Sequence, residues 1–133
     1  ESALHDVSMD HWYGPAANAL APLGLENGVG DGGFAPNEPV SHEQFITILA
    51  RLGRRLNLDL HYTWDERPQS APAGYESYSS WAWDSVWLLD QGEESLLWTD
   101  AEDIQPAGVT TREEAAALSC SLLCELNLLP DLI

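Results

Sequence analysis

A capped helix led in by prolines, occurring twice, constrains this chain more than any other feature. The first copy is FAPNEPVSHEQFITILARLGRRL, from Phe34 to Leu56. Pro36 and Pro39 hold the approach extended, because proline fixes φ and restricts the residue before it. Ser41 then suits an N-cap, its hydroxyl accepting from free N–H groups of the first turn. Gln44 stands three residues on, placed to reach back as in a capping box. Phe45, Ile48, Leu49, Leu52 and Leu56 follow at helical spacing and predict one apolar stripe. The second copy, IQPAGVTTREEAAALSCSLLCEL, runs without a gap from Ile104 to Leu126. It sets Ile104 on Phe34, Pro106 on Pro36, Thr111 on Ser41 and Glu114 on Gln44. Leu118, Leu122 and Leu126 take the places of Ile48, Leu52 and Leu56.

Upstream the two halves match more loosely. HWYGPAANAL (His11 to Leu20) lies over SWAWDSVWLL (Ser80 to Leu89), pairing Trp12 with Trp81, Ala17 with Val86 and Leu20 with Leu89. The shared proline and cap, at fixed offsets from the helix, argue for an internal repeat over a chance likeness of two amphipathic helices. Helices are expected over Pro15 to Leu23, shortened or kinked at Pro22, over Trp81 to Gln91, and over Arg112 to Asn127. Glycines 28, 30, 32 and 33 around Asp31 form a turn-rich loop lacking the Lys-Ser/Thr of a phosphate-binding loop. Between the copies, Pro68, Pro72 and Gly74 mark a long connection, and Tyr62, Trp64, Tyr75 and Tyr78 predict that it lies against the domain. Leu96, Leu97 and Trp98 are the apolar anchor of an acidic loop over residues 92–103, and Trp83 and Trp87 are expected in the core.

Charge sets the partners. Twenty-two acidic against five basic side chains give a formal net charge of −17. Nucleic-acid binding needs Lys and Arg along the phosphates, so it is excluded, as is an anionic membrane surface. No apolar run is long enough to span a bilayer. Glu1 in place of a Met is the start expected of a trimmed precursor.

Catalytic and metal chemistry find little support. His5, Asp6, Asp10 and His11 are metal-ligand types without a metal-binding spacing, and Asp6 is expected to bond local backbone in a turn. Cys120 and Cys124, the two cysteines, sit four apart on the second capped helix. A regular helix does not hold such a pair at disulfide distance, and the repeat predicts Cys120 buried and Cys124 more exposed. No nucleophile, base and orienting group fall in a recognisable pattern, and scattered carboxylate pairs are expected in so acidic a chain. The chain is expected to be neither an enzyme nor dependent on a cofactor or metal.

The arrangement resembles the S-layer homology domain family. Leu4, Asp6, Val7, Trp12, Tyr13, Ala17, Leu20, Gly24, Leu25, Gly28, Asp31 to Phe34 and Pro36 carry the likeness in the first copy. Trp81, Ala82, Val86, Leu89, Gly92, Ile104, Pro106 and Thr111-Arg112-Glu113-Glu114 carry it in the second. Trp64-Asp65 is read as a displaced relic of the family's F-x-D start. The resemblance implies an all-α fold of two helix–loop–helix repeats packed as one loop-rich domain over residues 1–133. Repeat one spans 1–57, the connecting segment 58–79 and repeat two 80–133. The two capped helices are expected to pack together at its centre.

It also implies a non-catalytic module that anchors a secreted protein to the bacterial cell surface by binding a pyruvylated, acidic secondary cell-wall polysaccharide. In that family three repeats form a pseudo-threefold bundle, and the arginine of the T-R-A-E helix start holds the pyruvate. A forked guanidinium at a helix N-terminus suits an anion. The matching residue is Arg112, beside Thr111. His42 takes the arginine's place in repeat one, and Trp12 and Trp81 match the family's tryptophan. The alternative is a degenerate module that has lost the glycan and mediates protein–protein interaction or oligomerisation. One motif arginine and two repeats where the family has three favour it, and the partner is then another chain or a flanking repeat.

Overall fold

The computed structural model describes residues 4–23, 33–56, 68–90, 95–126 and 128. Every regular element among them is helical: α1 (Gly14–Leu20), α2 (His42–Arg55), α3 (Trp83–Leu89) and α4 (Arg112–Glu125). Tight 3-10 turns occupy Ala21–Leu23, Ser80–Ala82 and Ala101–Asp103. The one pairing of extended backbone among the described residues is an antiparallel bridge between Ser41 and Val109. No helix among them is long and apolar enough to cross a membrane. The chain divides into two compact units, Glu1–Pro39 and Val40–Ile133.

The first unit is built on a small core of Leu4, Val7 and Ala17, with Tyr13, Ala21 and Phe34 packed against it. Its lead-in is a series of turns, Val7 N–H to Leu4 O (3.3 Å), His11 to Ser8 (3.1 Å) and Gly14 to His11 (2.9 Å). The tightness of these turns explains Gly14: a Cβ there would lie 2.2 Å from the Ser8 carbonyl oxygen. Pro15 sits in the first turn of α1, where its missing N–H costs nothing. The helix ends at Leu20 and tightens to a 3-10 turn over Ala21–Leu23, the shortening expected at Pro22.

Asp6 corrects the expectation of a local turn. Its two carboxylate oxygens accept the Phe34 N–H at 2.7 Å and the Ala35 N–H at 2.8 Å, across 28 and 29 residues of chain. These amides, Phe34 first, hold the Asp6 carboxyl below the usual carboxylate range. Ala35 is held at φ 54°, in the left-handed region that alanine ordinarily avoids.

In the second unit α2 packs against α3 and α4, as the centre expected of the capped helices. Ile46, Val86, Leu89, Leu118 and Leu122 are its largest fully buried side chains. Burial of each stabilises the fold by about 1.5–3 kcal/mol relative to exposure. The apolar face of α2 is rotated from the expected stripe. Ile46, Leu49, Ala50 and Gly53 are buried, Phe45, Ile48 and Leu52 flank the core, and Leu56 is exposed. Ala50 and Gly53 are small, and counting bulky residues overlooks them.

Tyr75 and Tyr78 are buried, and their hydroxyls donate to Asp90 Oδ2 (2.7 Å) and to the Ala101 carbonyl (2.8 Å). Leu96 and Leu97 are buried and Trp83, Trp87 and Trp98 pack against the core, as expected. The second short helix is a 3-10 turn running into α3, with Trp83 Nε1–H donating to Tyr78 O at 3.1 Å. Tyr78 N–H bonds Tyr75 O at 3.0 Å, the same three-residue turn that Val7 and Leu4 make ahead of α1. The helices have equal lengths in the two halves, seven residues in α1 and α3 and fourteen in α2 and α4. Tyr62, Trp64-Asp65 and the glycine-rich stretch 24–32 lie outside the described residues.

Cys120 and Cys124 are not joined in a disulfide and both are exposed, which corrects the expected burial of Cys120. On α4 only Leu118 and Leu122 are buried, so position 120 faces away from the core.

Candidate ligand-binding site

The start of α2 is the junction of the second unit. Ser41 caps it: the hydroxyl accepts the Gln44 N–H at 3.3 Å and Gln44 Oε1 accepts the Ser41 N–H at 2.9 Å, completing the capping box. Two further N–H groups of its first turn are taken by the loop that precedes α4. His42 N–H donates to Gly108 O (2.8 Å) and Glu43 N–H to Pro106 O (3.0 Å). Thr110 N–H donates in return to Val40 O at 2.9 Å. Helix starts leave such donors without intrahelical partners, and here a distant loop supplies the acceptors.

α4 begins on the same plan with one change. The Thr111 hydroxyl accepts the Glu114 N–H at 3.2 Å and donates its proton to Glu114 Oε1 at 3.1 Å. The Glu114 side chain therefore serves the cap hydroxyl, where Gln44 serves the cap backbone.

His42 joins the two helix starts. Its Nδ1–H donates to the Gln105 carbonyl at 2.7 Å, and Nε2 faces Glu114 Oε2. The two side chains are 13% and 19% exposed. The Trp98 ring lies 5.3 Å from the imidazole, centre to centre. Gly108 leaves room for the ring: a Cβ there would stand 3.0 Å from it.

On the other flank Glu43 accepts the Ser79 N–H and hydroxyl, both at 2.8 Å. That contact ties the turn carrying Trp81 to the first turn of α2. Trp81 is 50% exposed. Arg112, the first residue of α4, is exposed and makes no ion pair among the described residues.

His42, Thr111, Arg112 and Trp81 thus stand on three segments joined at the start of α2. Trp12 belongs to the other unit, 92% exposed and edge-on to Tyr13 at 5.4 Å. Sequence reasoning missed Glu43, Gln105 and Gly108. An acid in a first turn and a glycine in a loop have ordinary local roles, and nothing in their spacing announces a partner 36 or 63 residues away. No group of three His, Cys, Asp or Glu side chains among the described residues is arranged to hold a metal ion.

Residues 3–46 match the family model of the S-layer homology domain, so such a domain is present in the N-terminal part of the chain. A "Cell surface protein" of Thermoanaerobacter kivui is 36% identical over 62 residues, which make up 47% of this chain and 8% of that protein. The match therefore spans less than a tenth of that curated relative's length. No solved structure matches the chain.

Proposed function

We propose that this chain is a non-catalytic module at the bacterial cell surface that binds an acidic, pyruvylated wall polysaccharide. On this reading residues 80–133 form a second, divergent S-layer-homology-like copy. The observation that carries the reading is Arg112: an exposed guanidinium, without an ion pair among the described residues, opening a fourteen-residue capped helix. The helix N-terminus and the forked donor both favour a carboxylate there. Thr111 fixes the helix start, and Trp81 offers an exposed ring on a neighbouring segment for a sugar face. His42 positions the two helix starts by binding Gln105 O and Glu114, in place of contacting ligand. Trp12 provides an aromatic surface in the first unit. The domain match at residues 3–46 and the surface-protein relative support the location and the absence of catalysis.

That use of His42 also favours a second reading, a module without glycan binding that contacts another protein. With the imidazole engaged, Arg112 is the one arginine left among the family's motif positions. The test is binding of purified pyruvylated wall polymer at moderate salt by the wild type and by Arg112→Ala. The glycan reading expects wild-type binding, at least tenfold weaker in the variant and weaker for depyruvylated polymer. No wild-type binding overturns it and leaves the interaction reading.

A further inference from the structure

The far end of α2 carries a feature that the proposed function does not use. Arg54 and Arg55 follow Arg51 by three and four residues, spacings at which side chains meet on a helix surface. Together they make up three of the chain's five basic side chains, set against 22 acidic ones. Arg54 and Arg55 are exposed and Arg51 is half-buried. Glu43 is the one carboxylate on this helix, and it lies in the first turn, accepting from Ser79. Neither Arg51 nor Arg55 makes an ion pair among the described residues.

A helix C-terminus favours cations, yet like charges at these spacings repel one another. An anion lying across the group relieves that repulsion, and forked guanidiniums suit carboxylates. The fourteen residues of α2 put this end about 20 Å from the junction where Arg112 opens α4. Both cationic positions belong to the same compact unit. One carboxylate cannot serve two positions so far apart, but a polymer bearing many can reach both. Two weak contacts joined through one polymer bind far more tightly than either alone. At 0.15 M salt the screening length is about 8 Å, so an anion at this end feels the guanidiniums beside it more than acids farther off.

We infer that Arg51, Arg54 and Arg55 form a second contact for the acidic polysaccharide, which reaches from Arg112 to the C-terminal end of α2. The inference rests on the glycan reading above and extends it from one anion to a length of polymer.

The experiment measures binding at 0.15 M salt of intact pyruvylated wall polymer, and of its shortest fragment carrying one pyruvyl group. The proteins are the wild type, Arg112→Ala and the double variant Arg51→Gln with Arg55→Gln. The double variant is expected to bind intact polymer about tenfold more weakly and the fragment as the wild type does. Arg112→Ala weakens both. Neither guanidinium pairs with a described group, so the helical circular dichroism of the double variant stays at the wild-type value. Unchanged binding of intact polymer by the double variant overturns the second contact and leaves the glycan reading standing. An equal loss for polymer and fragment also overturns it, because the arginines then act through the fold or through overall charge. So does a wild type that holds the fragment as tightly as the polymer. No wild-type binding of intact polymer overturns the glycan reading and this inference together.

Discussion

Asp6 shows how far a single carboxylate reaches in the first unit, where it closes a loop by accepting from Phe34 and Ala35. The bonds favour the charged form, so the folded pKa lies below the unfolded value of about 3.9. A depressed acid contributes stability that is complete above the unfolded pKa and is lost as the pH falls through the folded one. Acidification below about pH 4 should therefore release the Phe34 and Ala35 amides, seen as faster hydrogen exchange after correction for intrinsic rates. In Asp6→Asn these amides should exchange fast even at neutral pH; unchanged protection in that variant would remove Asp6 from the account. Ala35 gives a prediction of opposite sign. Its left-handed φ of 54° costs about 1–2 kcal/mol for a residue with a Cβ. Glycine relieves that cost but gives back about 0.5–1 kcal/mol in unfolded-state entropy. Ala35→Gly should raise stability by up to about 1.5 kcal/mol, read from the urea midpoint. A lower midpoint would show that the alanine methyl makes a contact outweighing the strain. Neither residue's role is legible from spacing: Asp6 looks like a turn former, and which distant amides it meets depends on the tertiary fold.

Helix starts were the most legible elements, because a cap and its partner three residues on are local chemistry. Ser41 with Gln44 and Thr111 with Glu114 both stand where the sequence puts them. What joins those starts was not legible, and it predicts a coupling. His42→Ala removes the ring that bonds the Gln105 carbonyl and lies against the Glu114 carboxylate, at a cost of about 1–3 kcal/mol. Gly108→Ala places a methyl 3.0 Å from a ring that is held on both sides, which should cost about 1–3 kcal/mol. Residues in contact are not additive, so Gly108→Ala should cost less once His42 is alanine. Strict additivity in urea unfolding would mean that the ring and the glycine do not constrain each other. The turn before α3 carries a pH dependence of its own. Burial, then the hydrogen bond to Asp90, pushes the Tyr75 phenol up, and burial, then the charges of Asp90 and Glu43, raises Tyr78. Groups with a raised folded pKa contribute fully below the unfolded value, about 10, and lose that contribution as the pH rises beyond it through the higher folded value. Tyrosinate absorbance belonging to these two rings, identified by its absence in Tyr75→Phe and Tyr78→Phe, should appear together with alkaline unfolding. Its appearance while the helical signal is intact would show the two phenols open to solvent.

For the whole molecule, composition is informative about energetics and weak about the site. Arg112 is legible in the sequence as the first residue of a capped helix, and it is exposed, whereas the engagement of His42 depends on a loop 63 residues away. Charge needs no such register. With 22 acidic and 5 basic side chains, folding concentrates like charges, and the compact state bears the greater repulsion. At about 0.01 M salt the screening length is about 30 Å, as wide as a small domain, so acids on opposite sides repel; at 0.15 M it is about 8 Å and distant pairs fall silent. The local contacts described above are shorter than either length and are screened far less. Sodium chloride over that range should raise the urea midpoint and the melting temperature while leaving the dependence of unfolding free energy on urea nearly unchanged, because the area exposed on unfolding is the same. A falling midpoint would mean that short-range pairs such as His42 with Glu114 outweigh the global repulsion. The same screening governs an anionic polymer: salt reduces its repulsion by the molecule as a whole faster than it weakens a close guanidinium–carboxylate pair. If Arg112 holds the glycan, affinity should rise from 0.01 M to 0.15 M salt before it falls at higher concentration. An affinity that only declines with salt would point to long-range attraction, which a chain of this charge does not offer.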